Sequence, residues 1–204
     1  MKHLAILGAS GHGKVIADTA EQLGWQQVTF FDDAWPQVKK NGPWDVQGDT
    51  QALIASLLGF DGVVVGIGNN RIRAEKHLLL SSAGANLVSI VHPSAIVSRH
   101  ASIGSGTVVF ANAVVNSFAL VGAGVILNTG AVVEHDCVVG DFAHVSPNAA
   151  LAGGVTLGQE VWVGACASIK QLTSIGRGSI VGMGAVVTKE VEPGLTVMGN
   201  PARA

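Results

Sequence analysis

The sequence predicts two domains of different architecture: an α/β Rossmann-like domain over residues 1–88, and a parallel β-helix of hexapeptide repeats over residues 89–204. Three observations support this division. An aliphatic residue recurs at every sixth position through the second half of the chain, and a glycine recurs there at every eighteenth. Before the repeat begins, strand-like segments alternate with helix-like ones, which is typical of an α/β fold.

The β-helix is predicted by the six-residue period. Sixteen consecutive steps from Val97 to Val187 fall on Val, Ile or Leu, and a small or short side chain stands two positions before each of them. Three hexapeptides make one coil, because the recurring glycines are Gly104, Gly122, Gly140, Gly158 and Gly176. Three short strands per coil predict a triangular prism with aliphatic side chains inside and Gly, Asn or Asp at its turns. A β-sandwich or barrel would instead alternate with period two.

The first 80 residues predict a parallel sheet with crossover helices. Residues 4–7, 28–31 and 62–65 are apolar strand candidates, while residues 14–23 and 71–82 have helical character. Ligands of such sheets bind beyond the carboxyl ends of the strands. The segments after the three strands should therefore converge on one site; they span residues 8–13, 32–33 and 66–70.

The glycine-rich turn after the first strand excludes an NTPase or kinase. Gly8, Gly13 and Lys14 have the spacing of a phosphate-binding loop, but Val15 stands where Mg²⁺ coordination needs Ser or Thr. The glycine spacing also differs from that of the dinucleotide-binding fingerprint. Two interpretations stay open: the backbone N–H groups bind a phosphate or sugar at the start of the helix, or the glycines only close a tight turn.

Composition excludes several further classes. The net charge is −2 and no long basic run occurs, so nucleic acid is not an expected partner. Cys137 and Cys166 make neither a disulfide framework nor a zinc site. No apolar stretch approaches the roughly 20 residues that span a bilayer, and the N-terminal apolar run is too short for a signal peptide. We therefore expect a cytoplasmic protein without membrane insertion.

Taken together, the motifs resemble the sialic-acid O-acetyltransferase and bacillosamine N-acetyltransferase family of hexapeptide-repeat acyltransferases. The resemblance is carried by the segment 8–13, the paired aspartates 32–33, the segment 66–70, the repeat, and the closing segment 197–203. It is strongest to the branch that acetylates the 4-amino group of a UDP-linked 4-amino-4,6-dideoxy sugar for glycan biosynthesis. The resemblance implies a left-handed parallel β-helix, acetyl-CoA as co-substrate, no metal, and a homotrimer with the acyl-CoA in the groove between neighbours.

The resemblance also implies roles for individual residues. The nucleotide sugar would contact Ser10, Gly11, His12, Asp32, Asp33 and Gly68. Coenzyme A would contact the later coils, through His144, Ala165 and Gly182.

The family's catalytic segment is a histidine followed by an acid, with a second histidine nine residues on. Here the segment is Glu134-His135-Asp136, with His144 following. His135 would be the general base, because imidazole can take a proton from an amine near neutral pH. The amine would attack acetyl-CoA directly, without a covalent enzyme intermediate. Adjacent residues on a strand point to opposite faces, so Asp136 or Glu134 can assist His135 only if the backbone turns there.

Three other functions compete with N-acetylation. O-acetylation of sialic acid or another sugar hydroxyl would use the same histidine. Metal-dependent hydration would need three histidines around zinc, and outside His135 and His144 the repeat region offers only His92 and His100. A non-catalytic assembly module would leave the Glu-His-Asp cluster unexplained.

Overall fold

The computed structural model describes residues 2–204, which form two compact units, one ending at Pro93 and the other spanning Ser94–Ala204. The first unit contains β1 (His3–Leu7), α1 (Gly11–Gln22), β2 (Gln27–Phe31), β3 (Lys40–Asn41), β4 (Trp44–Asp45), α2 (Thr50–Ala55), a 3₁₀ turn (Leu57–Gly59), β5 (Gly62–Val65), α3 (Asn70–Ser82) and β6 (Ile90–Val91).

A three-stranded parallel sheet in the order β2-β1-β5 organises the first unit. The alternation of strands and helices in the sequence predicts this parallel arrangement, and the structure confirms it. One core cluster lies where the sheet packs against α2 and α3, and it is built from Ala5, Leu7, Phe31, Leu53, Val63, Val65 and Leu80. The alternate strand residues and the inner face of α1 are also buried; they are Leu4, Ile6, Phe30, Val64, Ile16, Ala17 and Ala20.

The second unit is a parallel β-helix of two-residue strands, which confirms the predicted fold class. Its strands are β7 (Ile96–Val97), β8 (Ser102–Ile103), β9 (Val108–Val109), β10 (Val114–Val115), β11 (Leu120–Val121), β12 (Ile126–Leu127), β13 (Val132–Val133), β14 (Val138–Val139), β15 (His144–Val145), β16 (Ala150–Leu151), β17 (Thr156–Leu157), β18 (Trp162–Val163), β19 (Ser168–Ile169), β20 (Ser174–Ile175), β21 (Ile180–Val181), β22 (Val186–Val187) and β23 (Thr196–Val197).

The strands form three parallel sheets, which are the faces of the prism. Face 1 runs from β7 to β22 through β10, β13, β16 and β19; face 2 runs from β8 to β20 through β11, β14 and β17; face 3 runs from β9 to β23 through β12, β15, β18 and β21. Paired residues are eighteen positions apart along most of the stack, as in Val114 with Val132. The six-residue aliphatic positions are buried from Val109 to Val187, and Val97 and Ile103 are half-buried.

The turns of the β-helix depart from the composition that the sequence predicts for them. Eight residues other than glycine have φ between 56° and 62°, in the left-handed region that costs about 1–2 kcal/mol for most side chains. Only three of the eight are Asn or Asp; the eight are Asn112, Phe118, Asp136, Phe142, Asn148, Glu160, Cys166 and Leu172. Backbone bonds between coils hold these turns, since Asp136, Phe142 and Cys166 each donate an N–H to the preceding coil.

Within residues 2–204, no helix has both the length and the apolar character needed to cross a membrane.

Candidate active site

The His135–Asp136 pair occupies a corner of the prism. Both residues lie in the turn between β13 on face 1 and β14 on face 2, and Asp136 has φ of 60°. This turn brings the Asp136 carboxylate back to the ring, so that His135 Nδ1 lies 2.7 Å from Asp136 Oδ2. From the sequence, an acid could assist His135 only if the backbone turns at this point. The backbone does turn here, at Asp136.

The contact with Asp136 defines which ring nitrogen of His135 can act as a base. An ionised carboxylate only accepts hydrogen bonds, so Nδ1–H donates to it and Nε2 carries the free lone pair. Both side chains are 63% exposed, which leaves them accessible to substrate.

Glu134 is directed to a different partner. Its Oε2 accepts a hydrogen bond of 2.8 Å from Asn116 Nδ2 in the preceding coil. The structure thus separates the two acids that flank His135: Asp136 contacts the imidazole, and Glu134 binds the neighbouring coil.

His144 lies on face 3, in β15, between Ile126 and Trp162 of the adjacent coils. Its ring stacks on that of Trp162, with centroids 6.4 Å apart and planes inclined by 15°. Its Nε2 lies 3.1 Å from Asn128 Nδ2, and Asn128 Oδ1 accepts the backbone N–H of Thr129 at 2.9 Å. Since the Thr129 bond orients the amide, Nδ2 donates to Nε2, and the proton of a neutral His144 ring sits on Nδ1.

The two histidines are not brought together within one chain. His135 lies at the corner between faces 1 and 2, whereas His144 lies on face 3. In a three-sided prism the third face lies opposite that corner, so one site cannot use both imidazoles of the same chain.

The predicted coenzyme A residues lie on the same side of the prism as His144. Ala165 and Gly182 occupy successive turns that leave face 3, after β18 and β21. The Ala165 carbonyl oxygen accepts the N–H of Gly184, and the Gly182 N–H donates to Val197 at 2.7 Å. The Gly182 N–H is therefore engaged within the β-helix.

In the first unit, the segments after β1, β2 and β5 meet at one edge of the sheet, as their placement after parallel strands predicts. Gly8 donates its N–H to Phe31, and Gly66 donates its N–H to Leu7, each at 2.7 Å. The hydroxyl of Ser10, the N-cap of α1, is 3.4 Å from the carbonyl oxygen of Gly66.

The glycines of this edge divide into two groups. A Cβ atom on Gly13 would lie 2.3 Å from the Gly8 carbonyl oxygen, and one on Gly66 would lie 2.9 Å from Ile6 Cγ2. These positions need glycine for close packing. A Cβ on Gly11 or Gly68 would meet nothing within 4 Å, so these two predicted substrate residues border open space. His12 lies in the first turn of α1; it is half-buried, and its Nε2 is buried.

Asp32 and Asp33 bind the protein's own groups. Asp32 accepts the backbone N–H of Ala9 at 2.7 Å and that of Ala34 at 2.9 Å, so it shapes the glycine-rich turn. Asp33 accepts from the Thr50 backbone and hydroxyl and from Lys76 Nζ, the last at 2.6 Å. Burial alone would raise the pKa of Asp33, but the hydrogen bonds from Lys76 and Thr50 outweigh it and hold the pKa below its ordinary value.

Among residues 2–204, no group of three or more His, Cys, Asp or Glu side chains is arranged to hold a metal ion. Cys137 is buried and donates to the Ala152 carbonyl oxygen at 3.2 Å, and burial raises the pKa of its thiol. These properties fit a packing residue and not a nucleophile.

Comparison with known proteins identifies the family. The profile of the PglD N-terminal domain matches residues 3–77. The acetyltransferase domain of PglB from Neisseria gonorrhoeae FA1090 is 39% identical, with a TM-score of 0.93 over 100% of this chain and 99% of that one. The chain belongs to the PglD-like family of sugar N-acetyltransferases.

Two further relatives of this PglD-like chain agree with that assignment. PerB from Caulobacter crescentus, solved with CoA and GDP-perosamine, is 33% identical with a TM-score of 0.94 over 100% of this chain and 97% of that one. The UDP-N-acetylbacillosamine N-acetyltransferase of Bacillus subtilis (strain 168) is 36% identical over 117 residues, 54% of this chain and 52% of the relative. The chain thus spans about half the length of that curated relative. The predicted family is confirmed.

Sequence reasoning missed several residues that shape the PglD-like site. Arg73 is 1% exposed and donates to the carbonyl oxygens of Ile67 and Gly68 and to Asn70 Oδ1, at 2.8–3.1 Å. Asn41, also buried, donates to the Ser10 carbonyl oxygen at 3.1 Å. No motif marks these contacts in the sequence. The Asn41 contact joins residues 31 positions apart, and Arg73 reaches groups three to six positions away only because the turn before α3 folds back on its side chain.

Proposed function

We propose that the chain is an acetyl-CoA-dependent N-acetyltransferase that acetylates the 4-amino group of a UDP-linked 4-amino-4,6-dideoxy sugar. The observation that carries the proposal is the 2.7 Å contact between His135 Nδ1 and Asp136 Oδ2, because it leaves Nε2 free as a base. Family membership supports acetyl-CoA as donor, since the PglB domain was also solved with acetyl coenzyme A.

In this mechanism the sugar amine reacts as the neutral base, its ammonium proton having been lost to solvent, and His135 Nε2 takes a proton from the nitrogen as that nitrogen attacks the thioester carbonyl carbon. Asp136 stabilises the imidazolium that forms. The C–N bond forms, the C–S bond breaks, and the proton on His135 passes to the departing sulfur of coenzyme A. No covalent enzyme intermediate is needed; a trapped acetyl-enzyme would contradict this route.

The nucleotide sugar would bind at the sheet edge of the first unit. Gly11 and Gly68 border open space there, and the backbone N–H groups at the start of a helix favour phosphate. Ser10 and His12 would contact the ligand directly. Asp32 and Asp33 would act by shaping the site, because their carboxylates already accept hydrogen bonds from the protein.

Acetyl-CoA would bind along face 3, with His144 donating from Nδ1 to the thioester carbonyl oxygen. Ala165 and Gly182 would border the coenzyme on the turns beside that face. Because His135 lies at the opposite corner of the prism, a complete site would combine His135 of one chain with His144 of a neighbour. This geometry supports the homotrimer and the groove between neighbours.

Mixed assemblies test the shared site. Equal amounts of His135→Ala and His144→Ala chains, unfolded and refolded together, should regain about one quarter of wild-type activity, because about one site in four draws both intact histidines in a cyclic trimer. Each variant refolded alone is the control. Absence of recovery in a mixture that assembles normally would contradict the shared site, as would a fully active monomer.

The main experiment follows thiol release from acetyl-CoA with UDP-, GDP- and dTDP-linked 4-amino sugars. Wild type should respond to one of them, and His135→Ala should lose about 10²–10⁴-fold in rate, as expected for loss of a general base. His100→Ala is the matched control, since His100 lies in the turn at the same corner two coils before His135 and stacks on Phe118, eighteen residues further on. An unchanged rate in His135→Ala would contradict the proposal.

The alternative is O-acetylation of sialic acid or another sugar hydroxyl, for which the same histidine would activate an alcohol. Release with a hydroxyl acceptor and none with any amine would favour it. The predicted cytoplasmic location and the domain boundary between residues 88 and 89 stay predictions.

A further inference from the structure

The imidazole of His135 lies against a position that carries no side chain. A Cβ atom on Gly153 would stand 2.6 Å from both Cε1 and Nε2 of His135. Carbon atoms that are not bonded pack at about 3.5–4.0 Å, so an alanine at position 153 and the ring could not both keep their places. The neighbouring Gly154 donates its N–H to the His135 carbonyl oxygen at 2.9 Å, which fixes the two turns against each other.

The backbone at position 153 does not itself require glycine. Gly154 has φ of +69°, in the left-handed region, but Gly153 does not. Positions eighteen residues apart share a corner of the prism, as the pairing of Val132 with Ala150 shows. The other coils carry side chains at the corner position of Gly153; these are Arg99, Ser117, His135 and Gln171.

We propose that Gly153 is a positioning residue for the catalytic base: its missing side chain forms a notch that holds the Cε1–Nε2 edge of the His135 ring. This inference rests on the proposed function, in which Nε2 takes the proton from the amine. Asp136 holds the ring at Nδ1, the nitrogen on the other side of Cε1 from Nε2. The ring is thus held on two sides, and the nitrogen that reacts is the one beside the notch.

The test substitutes Gly153→Ala and measures kcat and both KM values. The kcat should fall about 10²-fold, because a displacement of about 1 Å in a catalytic group can cost that much. Both KM values should stay within about threefold, since the change affects the transition state and not ground-state binding. Gln171→Ala is the matched control: it leaves an alanine at the same corner one coil further on, and its kcat should match wild type.

The outcomes separate this inference from the proposed function. If His135→Ala is inactive while Gly153→Ala keeps wild-type kcat, the positioning role of Gly153 is overturned, and the proposal that His135 is the general base stands. A rise in KM with unchanged kcat would also overturn the positioning role of Gly153. If His135→Ala stays active, the proposed base is wrong, and the inference falls with it.

Thermal melting keeps the test decisive if Gly153→Ala is destabilised. The double variant His135→Ala/Gly153→Ala should melt at the temperature of His135→Ala alone, because the added methyl then meets no ring. Residues in contact show such non-additivity in a double-mutant cycle. If Gly153→Ala lowers the melting temperature equally in wild type and in His135→Ala, the added methyl group does not clash with the His135 ring, and the inference is overturned.

Discussion

The amide of Asn128 sets which nitrogen of His144 carries a proton, and aspartate at position 128 should reverse that choice. Asn128 Nδ2 donates to His144 Nε2 at 3.1 Å, and the Thr129 N–H holds the amide in this orientation. A carboxylate has no proton to give. In Asn128→Asp the ring must present N–H at Nε2, so that Nδ1 becomes an acceptor and can no longer donate to the thioester carbonyl.

The magnitude follows from the hydrogen bonds that are lost. Removing one donor to a developing oxyanion costs about 10²–10³-fold in kcat, and Asn128→Asp should approach that range, as His144→Ala does. Asn128→Ala removes the hydrogen bond to His144 Nε2 but places no acceptor there. It loses one neutral hydrogen bond of about 0.5–1.5 kcal/mol, which corresponds to roughly a twofold to tenfold decrease.

The assay compares initial rates of thiol release for the three variants at saturating substrates and about pH 9, where an imidazole is neutral. The expected order of kcat is wild type, then Asn128→Ala, then Asn128→Asp with His144→Ala. If Asn128→Asp is as active as Asn128→Ala or more so, the protonated nitrogen of His144 does not matter and the reasoning is refuted.

Three further predictions concern residues on which the site depends. Asp136→Ala should lower kcat about tenfold, because an exposed pair contributes far less than the about 10⁴-fold of a buried triad; an unchanged kcat would rule out assistance to His135. Arg73→Lys should raise the KM for nucleotide sugar about tenfold and leave that for acetyl-CoA unchanged, because an ammonium lacks the guanidinium fork that holds three acceptors; equal changes in both would argue against it. Lys76→Met should lower the melting temperature at neutral pH. Since the folded pKa of Asp33 is depressed, its stabilisation is present above the ordinary aspartate pKa of 3.8 and is lost as the pH falls through the folded pKa. The variant should therefore lose less stability than wild type on acidification below about pH 4, and parallel curves would contradict this.

The repeat region could be predicted in detail because its interior imposes a strict rule. Each aliphatic side chain points into the narrow interior of the prism, where every coil repeats the same packing. The six-residue period is therefore visible in the sequence. The outer positions obey no such rule. Trp162 stacks on His144 and donates its Nε1–H to Ser146 Oγ at 2.9 Å, but nothing in the period distinguishes this tryptophan from an exposed packing residue.

The acid that contacts His135 could not be chosen from the sequence, because strand geometry does not apply to residues that form a turn. In a strand, neither Glu134 nor Asp136 could reach the ring. The left-handed φ of Asp136 brings its carboxylate to Nδ1, while Asn116 draws Glu134 to the adjacent coil. The turn is visible only once the two-residue strands have been located on either side of it.

The stacking of coils also explains how a β-helix with repeating buried positions can hold a site whose residues differ from coil to coil. Stacking at an interval of eighteen residues places a residue from each neighbouring coil beside His135: Ser117 precedes it and Gly153 follows it. A substitution at one coil therefore acts on a side chain eighteen residues away without disturbing the buried aliphatic positions. In the proposed mechanism, contacts between adjacent coils set the geometry of the catalytic base, and the absence of a side chain at Gly153 contributes as specifically as the carboxylate of Asp136.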